Sequence, residues 1–505
     1  MKHAYLDIID IRRKVFETIS RMAFEDIDLM QLPHVVHEAF PGQKGQFHRD
    51  IFEERAIFGE RLRLCLGMDA RLADDPGVIT DGIEDVDLDT NVYRPPLVSV
   101  VKIACQSCPS KKILVTDNCR KCIAHPCMTV CPKNAIQPGT FKMEINQETC
   151  IHCKACIRNC PYNAIVELVR PCADACAVNA VNADEYGRAE IDYEKCVSCG
   201  ACITACPFGA IGDKSQIYQL IKSLKSSEHH YAIIAPSFTG QFGEKVSPEQ
   251  VAEGCLRLGF EDVVEVGLGA DLTTMNEAKE FLETVPDKSP YLGTSCCYSW
   301  ALMVKKNFPD QDEFISETYP PMIYTADQLK KAHPGCKVTF IGPCVSKKLQ
   351  ALQPNVKDHI DFVITFEELM GMFDAKDIVL EELETDFKFN DASGTGRGYG
   401  VAGGVAKAVA DRIHELDPVR EVQVHAAEGL KECLNLVWSA KAGREDGKLL
   451  EGMACEGGCI GGPGTIVALP VSRHANDLFV KESSIGSPAD NDKIPEEDKP
   501  VYKPF

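Results

Sequence analysis

The sequence predicts an α/β domain with largely parallel sheets, preceded by a cysteine-rich α+β region and a small helical segment. Three observations support this fold class. Residues 7–22 and 50–63 carry apolar residues at helix-like spacing. Sixteen of the 25 cysteines lie between residues 100 and 212. Beyond residue 215, short apolar runs alternate with longer amphipathic runs, as strands alternate with helices in a parallel sheet.

Turn-forming and charged segments mark the domain boundaries. The acidic residues 81–89, followed by Pro95-Pro96, are typical of a linker. The end of the chain is rich in Pro, Asp, Glu and Lys, which is typical of chain that cannot bury a core. The predicted parts are a helical N-terminal extension over 1–95, a cysteine-rich domain over 96–214, an α/β domain over 215–482 and an extended or disordered tail over 483–505.

The composition narrows the class of protein. No run of 18 apolar residues predicts a membrane span, and residues 1–13 carry charges where a signal peptide would need an apolar core. We therefore expect a cytoplasmic protein, in which clustered cysteines are more typical of metal sites than of disulfides. A secreted disulfide scaffold is the alternative, and the chain length and cysteine spacing argue against it. The formal net charge of −21 argues against a nucleic-acid partner.

One part of the cysteine-rich region is basic against this acidic background. The basic residues are Lys102, Lys111, Lys112, Arg120 and Lys121. They are either ordinary solvated surface or a docking patch for an acidic electron carrier, and the sequence leaves both interpretations open.

Two stretches share the spacing C-x2-C-x2-C-x3-C-P. They begin at Cys150 and Cys196. This is the spacing of bacterial ferredoxins, in which three close cysteines bind one 4Fe-4S cluster and the fourth reaches a neighbouring cluster. A zinc site would need four ligands without this repeated Cys-Pro ending. A third run with a longer middle gap begins at Cys119, and Cys172 and Cys176 resemble the second half of a fourth.

Sixteen cysteines at four per cluster predict four 4Fe-4S clusters. Such a series would carry single electrons between a surface partner and a buried centre; a purely structural role is the alternative. The ligand sets, assigned by analogy with two-cluster ferredoxins, are Cys119, Cys122 and Cys127 with Cys160; Cys150, Cys153 and Cys156 with Cys131; Cys196, Cys199 and Cys202 with Cys176; and Cys105, Cys108 and Cys172 with Cys206.

Three strand ends are expected to meet in the α/β domain. Sites in such sheets form beyond the carboxyl ends of the strands. Apolar, strand-like runs end just before Pro236, Thr294 and Pro343. We therefore expect these three points to surround one site.

Three short motifs in this domain hold five cysteines. They are Thr294-Ser-Cys-Cys-Tyr-Ser-Trp300, Gly342-Pro-Cys-Val-Ser-Lys-Lys348 and Met453-Ala-Cys-Glu-Gly-Gly-Cys-Ile-Gly-Gly462. They offer four ligand thiols and one spare, among small residues that let the backbone approach a bulky inorganic centre. In order and type, the motifs resemble the H-cluster signatures of the FeFe hydrogenases. The resemblance covers about residues 95–470 and suggests a monomeric branch outside the best-known group of that family.

The resemblance implies an H-cluster, a 4Fe-4S cube bridged by a thiolate to a two-iron subsite with carbon monoxide, cyanide and azadithiolate ligands. Glu280 matches a proton-relay carboxylate of the family. The other matching positions are Cys297, Cys344, Cys455 and Cys459 for the cube, with Cys459 as the bridge; Cys296 for proton exchange with the bridging amine; Lys347, Pro236 and Ser237 for the cyanides; and Met453 beside the two-iron unit.

The roles of two of these residues also have simpler interpretations. A lysine ammonium suits an anionic cyanide, although Lys347 could be a surface charge in a pair with Lys348. A thiol with a pKa near neutrality can shuttle a proton, although Cys296 could be a buried inert thiol.

The chain departs from the family pattern at three positions. Gly342 stands in place of Met, Tyr298 in place of Pro, and Gln350 in place of a relay Glu. Since Gln cannot ionise, we expect the second half of the proton path to differ.

The implied function is reversible reduction of protons to H2. The resemblance further implies electrons from or to ferredoxin or a similar small carrier, and assembly by hydrogenase maturation proteins. One alternative is a redox or hydrogen sensor, but the chain keeps Cys296 and shows no obvious signalling module. Another is an iron-sulfur assembly factor, which would not need both Cys344 and Lys347.

Overall fold

The computed structural model describes residues 6–47, 50–72, 74–86, 94–226 and 228–494. Residues 87–89 of the predicted linker and 495–505 of the predicted tail lie outside these ranges. Three helices come first and confirm the predicted helical segment: α1 Leu6–Phe24, α2 Leu32–Ala39 and α3 Ile51–Cys65.

The cysteine-rich region is built from short antiparallel hairpins and single helical turns. Its strands pair as β1 with β8, β2 with β5, β3 with β4 and β6 with β7. Their bounds are β1 Val98–Val100, β2 Lys112–Val115, β3 Ile136–Pro138, β4 Met143–Ile145, β5 Ile165–Leu168, β6 Val181–Ala183, β7 Ala189–Ile191 and β8 Ile211–Asp213. The helices are α4 Pro126–Thr129, α5 Ala155–Asn159, α6 Pro171–Asp174 and α7 Ala201–Ala205.

The α/β domain contains two parallel sheets, as predicted. One has the strand order β10-β9-β12-β13 and the other β11-β15-β14. The strands are β9 His230–Ile234, β10 Asp262–Glu265, β11 Leu292–Gly293, β12 Lys337–Gly342, β13 Phe362–Thr365, β14 Gln423–Glu428 and β15 Lys448–Met453. The helices are α8 Ile217–Leu224, α9 Pro248–Leu258, α10 Val266–Thr284, α11 Tyr298–Asn307, α12 Pro321–Ala332, α13 Val345–Ala351, α14 Phe366–Ala375, α15 Gly394–Arg397, α16 Gly404–Leu416, α17 Leu430–Lys441 and α18 Leu469–Glu482.

The N-terminal helices share a core with the first parallel sheet. Phe16 on α1 and Phe58 on α3 belong to the same buried cluster as Ile233 on β9 and Val363 on β13. A Cβ built at Gly371 on α14 would lie 2.5 Å from the Cβ of Phe16, so α1 and α14 approach at backbone distance. The helices of the predicted extension therefore pack into the core of the α/β domain.

Lys348 joins three parts of the chain through a buried ionic network. Its ammonium donates to Asp213 Oδ2 at 2.7 Å, to Glu368 Oε1 at 2.9 Å and to the carbonyl of Lys214 at 2.9 Å. The side chains of Lys348, Asp213 and Glu368 are at most 4% exposed. Lys348 is thus no surface charge, which removes the alternative of a solvated pair with Lys347.

Replacing Lys348 by Met is expected to destabilise the protein by about 3–5 kcal/mol, because two carboxylates would lose their buried cation. Chemical denaturation followed by fluorescence would measure this change. The matched control is Lys357→Met, which removes an exposed lysine and should change stability by less than about 0.5 kcal/mol. Equal denaturation midpoints for the two variants would contradict the prediction.

Residues 483–494, the described part of the tail predicted to be extended or disordered, pack against the α/β domain. The amide of Gly394 donates to the carbonyl of Ile485 at 2.7 Å. Asn491 is buried and its side-chain amide donates to Asp271 Oδ2 at 2.8 Å. The polar composition suggested solvation, but this segment supplies the hydrogen bonds that a buried carboxylate requires. Among the described helices, none has an apolar stretch long enough to cross a bilayer.

Candidate functional site

Three cavities of similar size lie in the cysteine-rich region. Their volumes are about 360, 340 and 320 Å³. Each is lined by four cysteines, and the sets are Cys119, Cys122, Cys127 and Cys160; Cys131, Cys150, Cys153 and Cys156; and Cys105, Cys108, Cys172 and Cys206. The structure thus brings together three of the four predicted ligand sets.

The fourth predicted set also converges. Burial, followed by the neighbouring Cys196, Cys176 and Cys297, raises the pKa of Cys199 to about 12. Burial, followed by the neighbouring Cys199, Cys196 and Cys176, raises the pKa of Cys202. The members of this set are therefore close enough to interact, and one of them faces the cysteines of the α/β domain.

A repeated hydrogen bond explains the repeated sequence that ends each cysteine run. The backbone N–H of an alanine four residues later donates to the sulfur of the last cysteine at 3.2–3.4 Å. The residue before each alanine is in the left-handed region, with φ between 48° and 55°. Asn and Gly tolerate this conformation best, which accounts for Asn-Ala or Gly-Ala at all four positions. The alanines are Ala135, Ala164, Ala180 and Ala210.

In the α/β domain, four strand ends surround the cysteine motifs. β9 is followed by Ser237, β11 by the double cysteine, β12 by Cys344 and β15 by Cys455. Cys297 and Cys344 are the residues that precede the first turns of α11 and α13. A helix N-terminus stabilises a thiolate through its backbone N–H groups and dipole. The three predicted strand ends therefore do meet, and β15 adds a fourth.

The four thiols have the chemistry expected of ligands to an iron-sulfur cube. Burial raises the pKa of Cys459 to about 12, and the neighbouring Cys344 and Cys297 contribute further. Burial likewise raises the pKa of Cys344 and of Cys455. Thiols in this setting need a cationic centre to be held as thiolates, and iron provides one. The donor set therefore fits a cube.

Within the described ranges, no three His, Cys, Asp or Glu side chains are placed as ligands of one metal ion. A cube separates its ligand sulfurs more widely than a single ion does, because each sulfur binds a different iron.

A cavity of about 520 Å³ lies beside these thiols. Six of the predicted site residues line it, namely Pro236, Ser237, Cys296, Lys347, Met453 and Cys459. Ser237 is fully buried and its hydroxyl has no hydrogen-bond partner among the described residues. An orphaned buried hydroxyl is costly unless a ligand pairs with it, so this wall fits a polar ligand of a bound cofactor.

The substitution at Gly342 changes the wall of this cavity. A Cβ at Gly342 would lie 2.6 Å from the ring of Phe340, which itself lines the cavity. The ring thus occupies the space into which a side chain at position 342 would point. Tyr298, the second departure, is buried in an apolar cluster that Cys199 and Cys297 border.

Lys347 is held at the edge of the cavity. Its ammonium donates to the carbonyl of Cys296 at 2.9 Å and to Gln350 Oε1 at 2.6 Å. Gln350 is fully buried and accepts this bond without neutralising the charge. Gln350, the third departure from the family pattern, therefore positions Lys347 through a neutral hydrogen bond. A glutamate at position 350 would form an ion pair with the lysine instead.

Two buried residues that the sequence analysis missed connect Cys296 to Glu280. Glu277 is fully buried, and its Oε1 accepts bonds from the N–H and the hydroxyl of Ser295 at 2.8 and 2.9 Å. Burial raises the pKa of Glu277 to about 8, and Glu277 is among the charges that raise the pKa of Cys296 after burial itself. Ser316 donates to Glu280 Oε2 at 2.6 Å and also interacts with Glu277.

The groups therefore occur in the order Cys296, Glu277, Ser316 and Glu280, and Glu280 is only partly buried. A second glutamate one helical turn before Glu280 was the signal available in the sequence.

The cysteine-rich region is fixed to the site by hydrogen bonds around one loop. Ser299 on α11 donates to the carbonyl of Val197 at 3.2 Å, and Lys306 donates to that of Cys196 at 2.8 Å. A Cβ at Gly200 would lie 2.6 Å from Pro463. This close backbone packing places the loop that carries Cys196 and Cys199 directly against the cysteine motifs of the α/β domain.

Fold and site together define an iron-sulfur protein whose α/β domain holds a separate buried thiol site. Residues 228–463 match the family model for the iron only hydrogenase large subunit, C-terminal domain, and residues 142–165 and 189–212 match models of 4Fe-4S binding domains. The α/β domain is therefore similar to the C-terminal domain of iron-only hydrogenases, and the matches support iron-sulfur cofactors.

Two of the curated relatives of this chain are hydrogenases. Iron hydrogenase 1 of Clostridium pasteurianum is 28% identical over 305 residues, which are 50% of this chain and 53% of the relative. The NADP-reducing hydrogenase subunit of Solidesulfovibrio fructosivorans is 29% identical over 387 residues, 65% of this chain and 58% of the relative. The chain thus spans little more than half the length of these relatives. A solved apo FeFe-hydrogenase from Chlamydomonas reinhardtii aligns at 23% identity and a TM-score of 0.46, covering 55% of this chain and 92% of that one.

Proposed function

We propose that this protein catalyses reversible reduction of protons to H2 at an H-cluster, with electrons relayed through four 4Fe-4S clusters from or to a ferredoxin. The observation that carries the proposal is the 520 Å³ cavity, which is bordered by Cys296, Lys347 and the orphaned Ser237 hydroxyl and adjoins four partly buried cysteines.

The residues that would hold the H-cluster follow from these positions. Cys297, Cys344 and Cys455 would bind the cube, and Cys459, which also lines the cavity, would bridge to the two-iron unit. Ser237 and Lys347 would donate hydrogen bonds to the cyanides. When bound, the cofactor supplies the iron centre at which protons and electrons combine.

Protons would enter by way of Glu280, Ser316 and Glu277 to the thiol of Cys296. A carboxyl with a pKa of about 8 is protonated at neutral pH and can both give and receive a proton near that pH. Cys296 would pass the proton into the cavity.

Electrons would leave the cysteine-rich region from the cluster that Cys176, Cys196, Cys199 and Cys202 would hold. Cys199 of that set is an electrostatic neighbour of both Cys297 and Cys455. This proximity supports a direct electron transfer to the cube, without a role for any intervening domain.

Infrared spectroscopy of anaerobically matured protein tests the proposal. We expect cyanide and carbonyl stretching bands that change when H2 is added. Absence of these bands after maturation would refute the hydrogenase and favour an assembly or scaffold role.

Iron content tests the cluster number. The matured chain is expected to hold about 22 iron atoms, and Cys172→Ala should lower this by about four, because a cube that loses a ligand becomes unstable. Cys336→Ala, which changes an isolated cysteine, should keep the full content. A wild-type total near 14, which two accessory clusters would give, would contradict four clusters.

A further inference from the structure

The cysteine cavities have an order along strand β2. This strand leads away from Cys108 and runs from Lys112 to Val115. Ile113 lines the cavity of Cys131 and Cys150, whereas Val115, two residues further, lines that of Cys119. The cavity of Cys119 is therefore the farthest from Cys108 along the strand and would form the outer end of the relay.

Two large apolar side chains are exposed beside this outer cavity. Ile123 is 97% exposed and follows Cys122 directly. Phe141 is 88% exposed and lies in the turn between β3 and β4. Lys121 ties that turn to the cysteine loop, since its ammonium donates to the carbonyls of Gly139 at 2.7 Å and Thr140 at 3.2 Å.

Two exposed side chains of this size beside a cavity that would hold an electron-carrying cluster can supply the apolar part of an interaction surface.

The surroundings of these side chains are basic, unlike the rest of the chain. Residues 111–161 contain eight Lys and Arg and three Asp and Glu, while the chain has a net charge of −21. Arg120 and Lys121 are exposed and line the outer cavity, and Lys142 follows Phe141. Lys142 pairs with the exposed Asp117 at 2.9 Å and stays at the surface, whereas Lys102 pairs with Asp184 at 3.0 Å in an internal contact.

We propose that Ile123 and Phe141, rimmed by Arg120, Lys121 and Lys142, form the docking surface for a small acidic protein that carries an iron-sulfur cluster. We call this the Ile123 surface. The inference rests on the proposed function and adds to it the place and chemistry of the partner. In each encounter the reduced cluster of the carrier would lose one electron to the cluster that Cys119, Cys122, Cys127 and Cys160 would hold, and two encounters would supply the two electrons that reduce two protons to one H2.

Charge complementarity selects this partner over other occupants. A basic patch on an acidic molecule attracts an acidic carrier and orients it, and the attraction weakens as salt screens the charges. A second copy of this chain that docked through the same surface would bring two basic patches together, and like charges repel. The apolar centre then holds the carrier at short range.

The test compares two double variants of the full protein. Phe141→Ser with Lys142→Glu removes one exposed aromatic ring and reverses one charge at the Ile123 surface. The control, Val419→Ser with Lys357→Glu, makes the same kinds of change at exposed positions elsewhere. The probes are a reduced two-cluster bacterial ferredoxin and methyl viologen, a small cationic donor. H2 production is measured with each donor, and binding of immobilised ferredoxin is measured without turnover.

We expect the surface variant to raise the ferredoxin Kd and KM at least tenfold at low salt, with a smaller difference at high salt. Viologen-driven rates and the control variant should stay at wild-type values. Unchanged ferredoxin binding, salt-independent binding by the wild type, or an equal loss with viologen would each overturn the docking surface. A wild type that binds ferredoxin but produces no H2 with viologen would instead refute the proposed hydrogenase activity and leave the surface standing.

Discussion

Replacing Cys296 by Ala is expected to lower the rate of H2 production by about 10²- to 10⁴-fold, the range that a positioned proton-transfer group contributes. The thiol lines the cavity and is the last group of the chain that includes Glu277 and Glu280. Alanine keeps the backbone carbonyl that accepts the Lys347 hydrogen bond but has no exchangeable proton. The loss should therefore be in turnover and not in cofactor retention.

Two measurements on the same preparation separate these effects. H2 production with methyl viologen reports turnover, and infrared bands report the bound cofactor. Cys433→Ala serves as the control, since this buried thiol lies outside the cavity lining. Retained activity in Cys296→Ala would mean that Cys296 is an inert buried thiol, and loss of the infrared bands would assign it to cofactor binding.

Replacing Glu277 by Gln is expected to lower turnover by about 10²-fold or more, because an amide cannot release and regain a proton. Gln can still accept the two hydrogen bonds from Ser295, so the local structure should persist. Glu280→Gln should have a similar effect, as it interrupts the same chain one step closer to solvent. Glu283→Gln, on the exposed side of α10, is the matched control and should retain activity. Wild-type rates in both relay variants would rule out this route.

The Glu277 carboxyl should also make the rate of H2 production depend on pH. Burial raises the pKa of Glu277 to about 8, so the group is protonated below that pH and loses its proton as the pH rises through it. Proton delivery should therefore decline above pH 8, and this limb should be missing from the small residual activity of Glu277→Gln. A pH profile of viologen-driven H2 production, recorded for both proteins, would show whether the decline depends on Glu277.

The sequence predicted the parts of the molecule that depend on local spacing. A cysteine run fixes the relative positions of its own thiols through a few backbone angles, and the analogy with two-cluster ferredoxins supplied the more distant member of each predicted set. The left-handed residues Asn134 and Gly209, which allow the following amide to reach a sulfur, belong to the same local pattern. The alternation of strands and helices likewise predicted the parallel sheets.

The tertiary structure decided what depends on residues far apart in the chain. Ser316 stands between Glu277 and Glu280 only because a loop after α11 returns to α10, and no spacing rule relates these positions. Phe340 fills the space beside Gly342, and Asp213, Lys348 and Glu368 meet from three separate segments. The spacing within each cysteine run is set by short-range backbone geometry, whereas the cavity walls and the proposed proton route depend on packing between distant elements. The sequence alone therefore indicated the candidate metal-binding cysteines, and folding decided the candidate proton-handling groups.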